Sequence, residues 1–434
     1  MRQSQLFTKT RKEAPADEVA KNAQLLIRAG YVYKEMAGVY SYLPLGLRVL
    51  NKIVQIIREE MNREGGQEIV MTALQDGELW EKTDRWDDTK VDNWFKTELK
   101  NGTLLGLSIT HEEPLTRIMK DHISSYRDLP RYAYQFQNKF RNETRAKSGI
   151  MRGREFMMKD LYDFSRDEAE HIEFYNRMRE AYKRVFERAG IGHLTYVTFA
   201  SGGIFSEFSE EFQTVSEAGE DLIYVDEKSG IALNKEVYTD DVIAKLGLVK
   251  ENLVEKKSIE SGNIFHLGTK FSEPLGLMYK NEAGEDVPVH MGSYGIGPTR
   301  LMGTLVEVLG DEKGLVWPEA VAPFKVHLVG LNLEDGEVKD WADGIYTALT
   351  DAGVETLYDD RIEARAGEKF SDSDLLGMPY RVVVSKKGKE VGQFEVVTRA
   401  TGEVRQLTEE ELFADFEWAN EYTRVWLLRI YTGA

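Results

Sequence analysis

Leu50, Ile53, Val54, Ile57 and Met61 recur at the three- and four-residue spacing of one helix face. Pro44 suits the first turn of such a helix, and Gly65-Gly66 ends it. Glu68 to Leu74 then reads as a strand, while the stretch to about residue 105, rich in Trp, Asp, Glu and Lys, has no clean period. From Arg131 to Ser165 the period drops to two. Tyr134, Phe136 and Phe140 alternate with Gln135, Gln137, Lys139, Arg141 and Glu143, a glycine-punctuated loop spans Thr144 to Gly153, and a second run covers Arg154 to Phe164. This predicts an antiparallel hairpin with a long tip.

Ser165-Arg166-Asp167-Glu168 has the spacing of a capping box, and the apolar series from Ile172 to Ala189 predicts a helix ending at Gly190. Two more strand-like stretches follow. The charged segment Thr239 to Ser261 reads as a small helical excursion on the surface, and Gly292 to Leu309 starts with glycines and turns helical. Trp317-Pro318 through Pro323 reads as a linker. Beyond it, apolar runs at Val326 to Leu331, Val354 to Tyr358 and Tyr380 to Ser385 alternate with helical patterns, which predicts a compact α/β domain. A last helix should begin at the capping box Thr408 to Glu411.

The 434 residues leave room for two or three folded units. No apolar run approaches the roughly 18 residues of a membrane span, and the basic N-terminus has no apolar stretch behind it, so a soluble cytoplasmic protein is expected. The absence of cysteine excludes disulfide scaffolds, thiolate metal sites and thiol nucleophiles. None of the seven histidines falls in an HxH or HExxH spacing. A net charge of −18 argues against coating nucleic acid by bulk attraction, but Arg131 to Lys159 holds eight Lys/Arg against two Glu.

That basic strip is the hairpin, FRNETRAKSGIMRGREFMMKDLYDF at residues 140 to 164. Strand alternation puts Arg141 and Glu143 on one face, and gives Arg152, Arg154 and Phe156 one parity on the return run. Guanidinium groups, a carboxylate and an aromatic ring around one pocket suit a nucleoside triphosphate: cations for phosphate, a ring for the base, an acceptor for an amino group. A charged surface hairpin is the simpler reading of such a pair taken alone. The second motif, GSYGIGPTR at 292 to 300, lacks the third glycine of a dinucleotide fingerprint, and no GxxxxGK[ST] occurs. ATP, if bound, uses neither a Rossmann nor a P-loop route.

F-R-x-E, R-x-x-x-F and G-x-G-x-x-R in this order resemble motifs 2 and 3 of the class II aminoacyl-tRNA synthetases. The chain from residue 1 to about 410 resembles bacterial prolyl-tRNA synthetases of the short form that lacks an editing insertion. The likeness is carried by MRQSQLF, GVYSYLPLGLRVLNKI, ITHEEP, FRNETR, GREFMMKDLYDF, GSYGIGPTR and DDRIEARAGEKFSDSDLLGMPYRVVVS. The resemblance implies an α+β fold: a class II antiparallel sheet flanked by helices over 1–320, with a small insertion at about 221–290, then an α/β anticodon-binding domain with a C-terminal helix over 322–434.

By the same resemblance Arg141 would hold the α-phosphate and the substrate carboxylate, and Arg152 and Arg300 the β- and γ-phosphates. Phe156 would stack under adenine, Glu143 would accept from its amino group, and Gln213 would complete the ATP site. Thr110 and Glu112 would bind the secondary ammonium of L-proline, with Glu210 and Phe212 on the proline side. Mg²⁺ would arrive with ATP, and proline tRNA would be read through Arg361 and Lys369. That last expectation must overcome 13 Lys/Arg against 22 Asp/Glu in residues 322–434. A homodimer is implied, together with a separate hydrolase that removes mischarged tRNA.

Three departures from the family pattern stand out. Thr72 replaces a motif 1 proline that packs the dimer interface, Glu210 replaces a histidine, and Ala366 and Tyr380 replace a proline and a histidine. Two rival readings are a catalytically degenerate paralogue that binds or regulates, and a threonyl or seryl enzyme. The first should have lost its arginines. The absence of cysteine and of a histidine-rich metal site disfavours a zinc-dependent threonyl enzyme.

Overall fold

The computed structural model describes residues 1–144, 146, 148–201 and 208–416. Helix α1 (Lys21–Arg28) precedes the long helix α2 (Pro44–Arg63), whose Leu50, Ile53, Ile57 and Met61 are buried as their spacing predicts. Each such side chain contributes about 1.5–3 kcal/mol by leaving water. Strand β1 (Gln67–Glu68) is far shorter than the expected run to Leu74. The tryptophan-rich stretch forms a small three-stranded sheet (Leu74–Asp76, Leu104–Leu107, Lys96–Glu98) over a Trp80, Trp86 and Trp94 cluster. It leads to helix α3 (Glu112–Met119).

The predicted hairpin forms from β2 (Arg131–Phe140) and β3 (Glu155–Ser165), paired antiparallel from Arg131 opposite Phe164 to Phe140 opposite Glu155. Helix α4 (Glu168–Arg188) follows. Its cap is Asp167, which accepts from Glu170 N, and not Ser165, whose hydroxyl donates to Asp163. Next come β4 (Thr195–Ser201), β5 (Phe208–Val215), β6 (Asp221–Asp226), β7 (Ile231–Asn234), β8 (Leu253–Gly268) and β9 (His290–Ile296), then helix α5 (Pro298–Leu309).

The nine strands pair in the order β5-β4-β7-β6-β8-β9-β3-β2-β1, and β5 also pairs with β8, closing a ring of five strands. Two expectations therefore fail. Residues 221–290 are not an insertion beside the sheet, because β6, β7 and β8 belong to it. Within Thr239 to Ser261 only Asp240–Lys245 is α-helical, and from Leu253 the chain is the 16-residue strand β8.

One face of the sheet carries α2 and α4; there Lys159 is fully buried and donates to Tyr182 Oη at 2.7 Å and to Tyr294 O at 2.9 Å. The other face is left for chemistry.

The C-terminal sheet has the order β11-β10-β12-β13-β14, from β10 (Val326–Gly330), β11 (Thr356–Asp359), β12 (Tyr380–Val384), β13 (Gln393–Thr398) and β14 (Val404–Thr408). The first three are parallel. Helices α6 (Gly336–Asp351) and α7 (Ala366–Leu376) cross between them, and α8 (Glu409–Phe416) starts at the predicted capping box, where Thr408 and Glu411 bond reciprocally.

The connecting segment is pinned, with Leu315 N on Leu375 O and Trp317 N on Gly377 O. The first residues dock on β11 as well: Tyr358 N donates to Met1 O at 2.9 Å, and Ser4 N and Oγ donate to Asp360. Among the described residues no helix is long and apolar enough to cross a membrane.

Candidate active site

On the open face of the hairpin the period-two pattern places Gln135, Gln137 and Lys139 opposite Asp160, Met158 and Phe156. β2 stops at Phe140, so Arg141 and Glu143 lie on the connecting loop and not on a strand. Arg152 lies there too, before β3. The loop still brings Arg141, Glu143 and Arg152 together with Arg300 from the first turn of α5, around a cavity of about 260 Å³. Arg154, expected beside Arg152, turns away to the carbonyls of Glu143 and Ala37.

The cations in this cavity differ in what they already hold. Arg152 bonds Glu143 Oε2 through Nε and Nη2 at 3.1 and 3.0 Å, and Glu220 at 2.8 Å. Arg300 donates to Met151 O at 3.0 Å and to both O and Oε2 of Glu260 at 2.9 Å. Among the described residues the Arg141 guanidinium has no ion pair; it lies 5.3 Å from the centroid of the Phe156 ring. Burial, and then Arg300, pull the Arg141 pKa below its ordinary value, which means an anion arriving there is strongly favoured.

Carboxylates line the other wall, and the sequence reading missed them. Glu260 comes from β8, the segment mistaken for a surface helix. Burial works to raise its pKa, but Arg300, Asn263 and Arg141 hold it below the usual carboxylate range. Glu211 is pushed up to about 8 by burial and then by Glu260. Gln213 is fully buried and donates to Glu211 at 2.8 Å and Asp221 at 2.9 Å, while its Oε1 has no partner among the described residues. Glu211 and Gln213 share a face of β5, so a period-two count back from Gln213, which was expected at the ATP site, would have found Glu211.

The same count corrects two residues. Glu210 and Phe212 lie on the opposite face of β5, against α4: Glu210 pairs with Arg179, and the Phe212 ring is 5.0 Å from that of Tyr182. Neither lines the cavity.

Next to the cavity, α3 opens on Glu112 with His111 as its cap. Thr110 Oγ1 lies 2.8 and 2.7 Å from the two Glu112 oxygens, Arg85 Nη1 is 3.4 Å away, and Tyr162 Oη is also 3.4 Å away. Glu113, behind it, takes Arg85 at 2.9 Å and Thr83 at 2.8 Å.

Below lies a buried chain of polar groups. Lys139 pairs with Asp160 at 2.8 Å and meets His111 Nδ1 at 2.5 Å, and His111 Nε2 is 3.1 Å from Thr72 O. An ammonium can only donate, so Nδ1 accepts and the ring proton sits on Nε2, given to Thr72 O. Burial, and then Lys139, lower the His111 pKa to about 4 and keep it neutral. The backbone of Thr72 therefore supports the Thr110–Glu112 turn while its side chain is exposed.

In the C-terminal unit, Arg361 is held by Asp359 and Asp372 at 2.7 and 2.8 Å. Lys369 is 2% exposed and gives its ammonium to Gly330 O at 2.6 Å, so it offers no cation at the surface. Ala366 is the first residue of α7 and Tyr380 the first of β12, places that tolerate loss of a proline or a histidine.

Comparison with known proteins gives a consistent result. Residues 95–309 match the family model of the tRNA synthetase class II core domain (G, H, P, S and T), and residues 320–417 match that of an anticodon binding domain. A proline–tRNA ligase of Zymomonas mobilis is 39% identical, with 95% of this chain and 98% of that protein covered. One of Caulobacter vibrioides is 39% identical, with 93% and 96% covered. A crystal structure of prolyl-tRNA synthetase from Cryptosporidium parvum complexed with halofuginone and AMPPNP superposes with a TM-score of 0.74 at 18% identity, covering 91% of this chain and 75% of that one. The same enzyme complexed with L-proline and AMP gives 0.72, covering 91% and 73%.

Proposed function

The chain belongs to the proline–tRNA ligases, which are class II synthetases, and on that premise we propose how its residues divide the work. The reaction is the ATP-dependent joining of L-proline to tRNA. Arg141, Arg152 and Arg300 bind the phosphates of ATP, Phe156 and Glu143 the adenine, and Gln213 stands on the carboxylate wall. Thr110 and Glu112 take the proline nitrogen. The observation that carries this division is Arg141, a partly buried cation that lines the cavity beside Arg300 and has no counter-ion among the described residues.

In the first step a carboxylate oxygen of proline attacks the α-phosphorus and pyrophosphate leaves. No protein nucleophile is needed, because the carboxylate is already ionised at neutral pH. What the chain supplies is placement and positive charge that increases in value as charge develops. In the second step a terminal ribose hydroxyl of tRNA attacks the prolyl carbonyl and AMP leaves.

Mg²⁺ fits the carboxylate wall. It takes one or two carboxylates plus phosphate oxygens and water, and burial, the first cause of the raised pKa of Glu211 and of Asp221, leaves two carboxyl groups whose ionised forms an arriving cation would favour. Glu211 and Asp221, both reached by the side-chain amide of Gln213, would hold it, and when bound it would neutralise charge on the pyrophosphate. Arg361 remains the candidate for anticodon contact, released from Asp372 on binding. The degenerate-paralogue reading is disfavoured because its loss of arginines did not occur. A cytoplasmic location goes with the activity. A homodimer is proposed through the exposed strip around Thr72, where Val70 is 81% and Leu74 54% exposed. Sedimentation should give twice the chain mass, and a monomer at micromolar concentration would remove that proposal.

The test of function is ATP–pyrophosphate exchange across a panel of amino acids, with proline expected to be strongest and alanine a measurable second. A proline pocket cannot exclude a smaller side chain, and lost contacts discriminate by only about 10- to 200-fold per methylene. Of residues 221–290, Asp221–Asp226, Ile231–Asn234 and Leu253–Gly268 are strands of the main sheet, and the short pieces between and after them are too small for a separate hydrolytic domain. Alanyl-tRNA should therefore accumulate when the enzyme is incubated with alanine and proline tRNA, and a separate hydrolase would be needed to clear it. Rapid deacylation by this chain alone would contradict this.

A further inference from the structure

Helix α5 does more than carry Arg300. Arg300, Gly303 and Glu307 are spaced by three and four residues, which puts them on one face. That face lies against the loop Ser148 to Arg152. Arg300 Nε holds Met151 O at 3.0 Å. At Gly303 a Cβ would stand 2.7 Å from Met151 Cγ and 2.9 Å from Ile150 Cγ1, so the loop touches the helix backbone. Glu307 reaches the loop through an intermediary: its Oε1 accepts from Asn22 N at 2.8 Å and from Asn22 Nδ2 at 2.7 Å.

Asn22, in the first turn of α1, is fully buried and bonds to the loop on both sides of Gly149. Nδ2 donates to Ser148 O at 3.2 Å, and Oδ1 accepts from Ile150 N at 3.0 Å. Every polar atom of the side chain is thereby used. Gly149 adopts φ +60°, and a Cβ there would lie 2.2 Å from Asn22 Oδ1, so the glycine is what lets the amide approach.

The loop needs holding. Ser148, Met151 and Arg152 line the cavity, and Arg152 faces it together with Arg141 and Arg300. Arg141 and Arg300 repel one another until phosphate arrives, and Arg152 stands beside them on the loop, held by Glu143 and Glu220. A loop with no ladder partners would swing outward, and Ile150 N, on a residue 3% exposed, would be left unpaired.

We propose that Asn22 and Glu307 are positioning residues that clamp the Ser148 to Arg152 loop in its ATP-binding geometry, so that a residue far from the motifs in sequence sets the affinity for ATP. The proposal rests on the reading of this cavity as the ATP site. It concerns ATP and not proline, because the Thr110–Glu112 turn is supported separately through His111 and Lys139.

The test is proline-dependent exchange with both KM values measured. Asn22→Ala and Glu307→Ala should raise the KM for ATP by roughly tenfold or more, the loss expected for a charge-assisted buried hydrogen bond, and leave that for proline within about twofold. Glu307→Gln, which still accepts from both Asn22 N–H groups, should stay close to wild type. Should Asn22→Ala fold poorly, Gly149→Ala leaves α1 intact and pushes the loop off the amide, with the same ATP-selective defect expected. An unchanged KM for ATP in the folded variants, or parallel rises for both substrates, overturns the clamp. If Arg141→Ala keeps exchange, the ATP reading itself falls; if it loses exchange while the clamp variants bind ATP normally, only the clamp falls.

Discussion

Arg141→Ala is expected to lose ATP–pyrophosphate exchange by at least about 100-fold, the usual cost of removing one preorganised charge from a transition state, and to melt no lower than wild type. The second half of this expectation makes it a sharp test. An arginine in a partly buried salt bridge cannot be removed without leaving its carboxylate unpaired, which costs stability. Arg300→Ala would do this to Glu260 and would also free Met151 O, so lost activity there has two explanations. Arg141 has no ion pair among the described residues, and its lowered pKa shows that the folded chain holds the charge at some expense. Removing it relieves a repulsion with Arg300. A folded Arg141→Ala protein with wild-type exchange would remove the phosphate assignment of the cavity.

The sequence made this arginine visible because the hairpin's alternation survives to the end of β2 and the loop continues the same side for three more residues. Its limits are equally physical. Glu260 was hidden by Glu255, Lys256 and Lys257 beside it: a run of charge reads as a solvated helix, whereas β8 is a long strand whose first part is exposed and whose second part crosses the site. Glu210 and Phe212 were misplaced by one residue, which in a strand exchanges the two faces. Lys369 looked like a surface cation on a helix, but its ammonium caps Gly330 O inside the domain. The apolar periods of α2 and of the C-terminal strands were legible because burial there is one-sided or complete. The clamp at Asn22 was invisible, since a single asparagine in a first helical turn carries no period and its partners are more than a hundred residues away.

Glu112→Gln should raise the KM for proline by roughly 100-fold, the range for a buried charge-assisted pair, and change that for ATP little. Proline presents a secondary ammonium with two N–H bonds, and Glu112 meets it from a turn already fixed by Thr110 and by Tyr162. The amide keeps the shape and the acceptor oxygen but loses the charge, so the effect reports electrostatics and not packing. The neighbouring acid adds a pH signature. Glu113 is pushed up to about 7, chiefly by burial, against the pull of Arg85 and with the help of Glu112. The groups facing it are Arg85 and Thr83 from the tryptophan-rich segment, Glu112 on its own helix, and Lys270 nearby. Above about pH 7 two carboxylates share one guanidinium and the site carries an extra negative charge; below it Glu113 holds a proton and that charge is gone. The KM for proline should therefore rise as pH falls through 7, and Glu113→Gln should flatten this dependence while Glu112→Gln shifts the whole curve upward. Equal effects of Glu112→Gln on proline and ATP, at any pH, would take Glu112 out of the proline pocket.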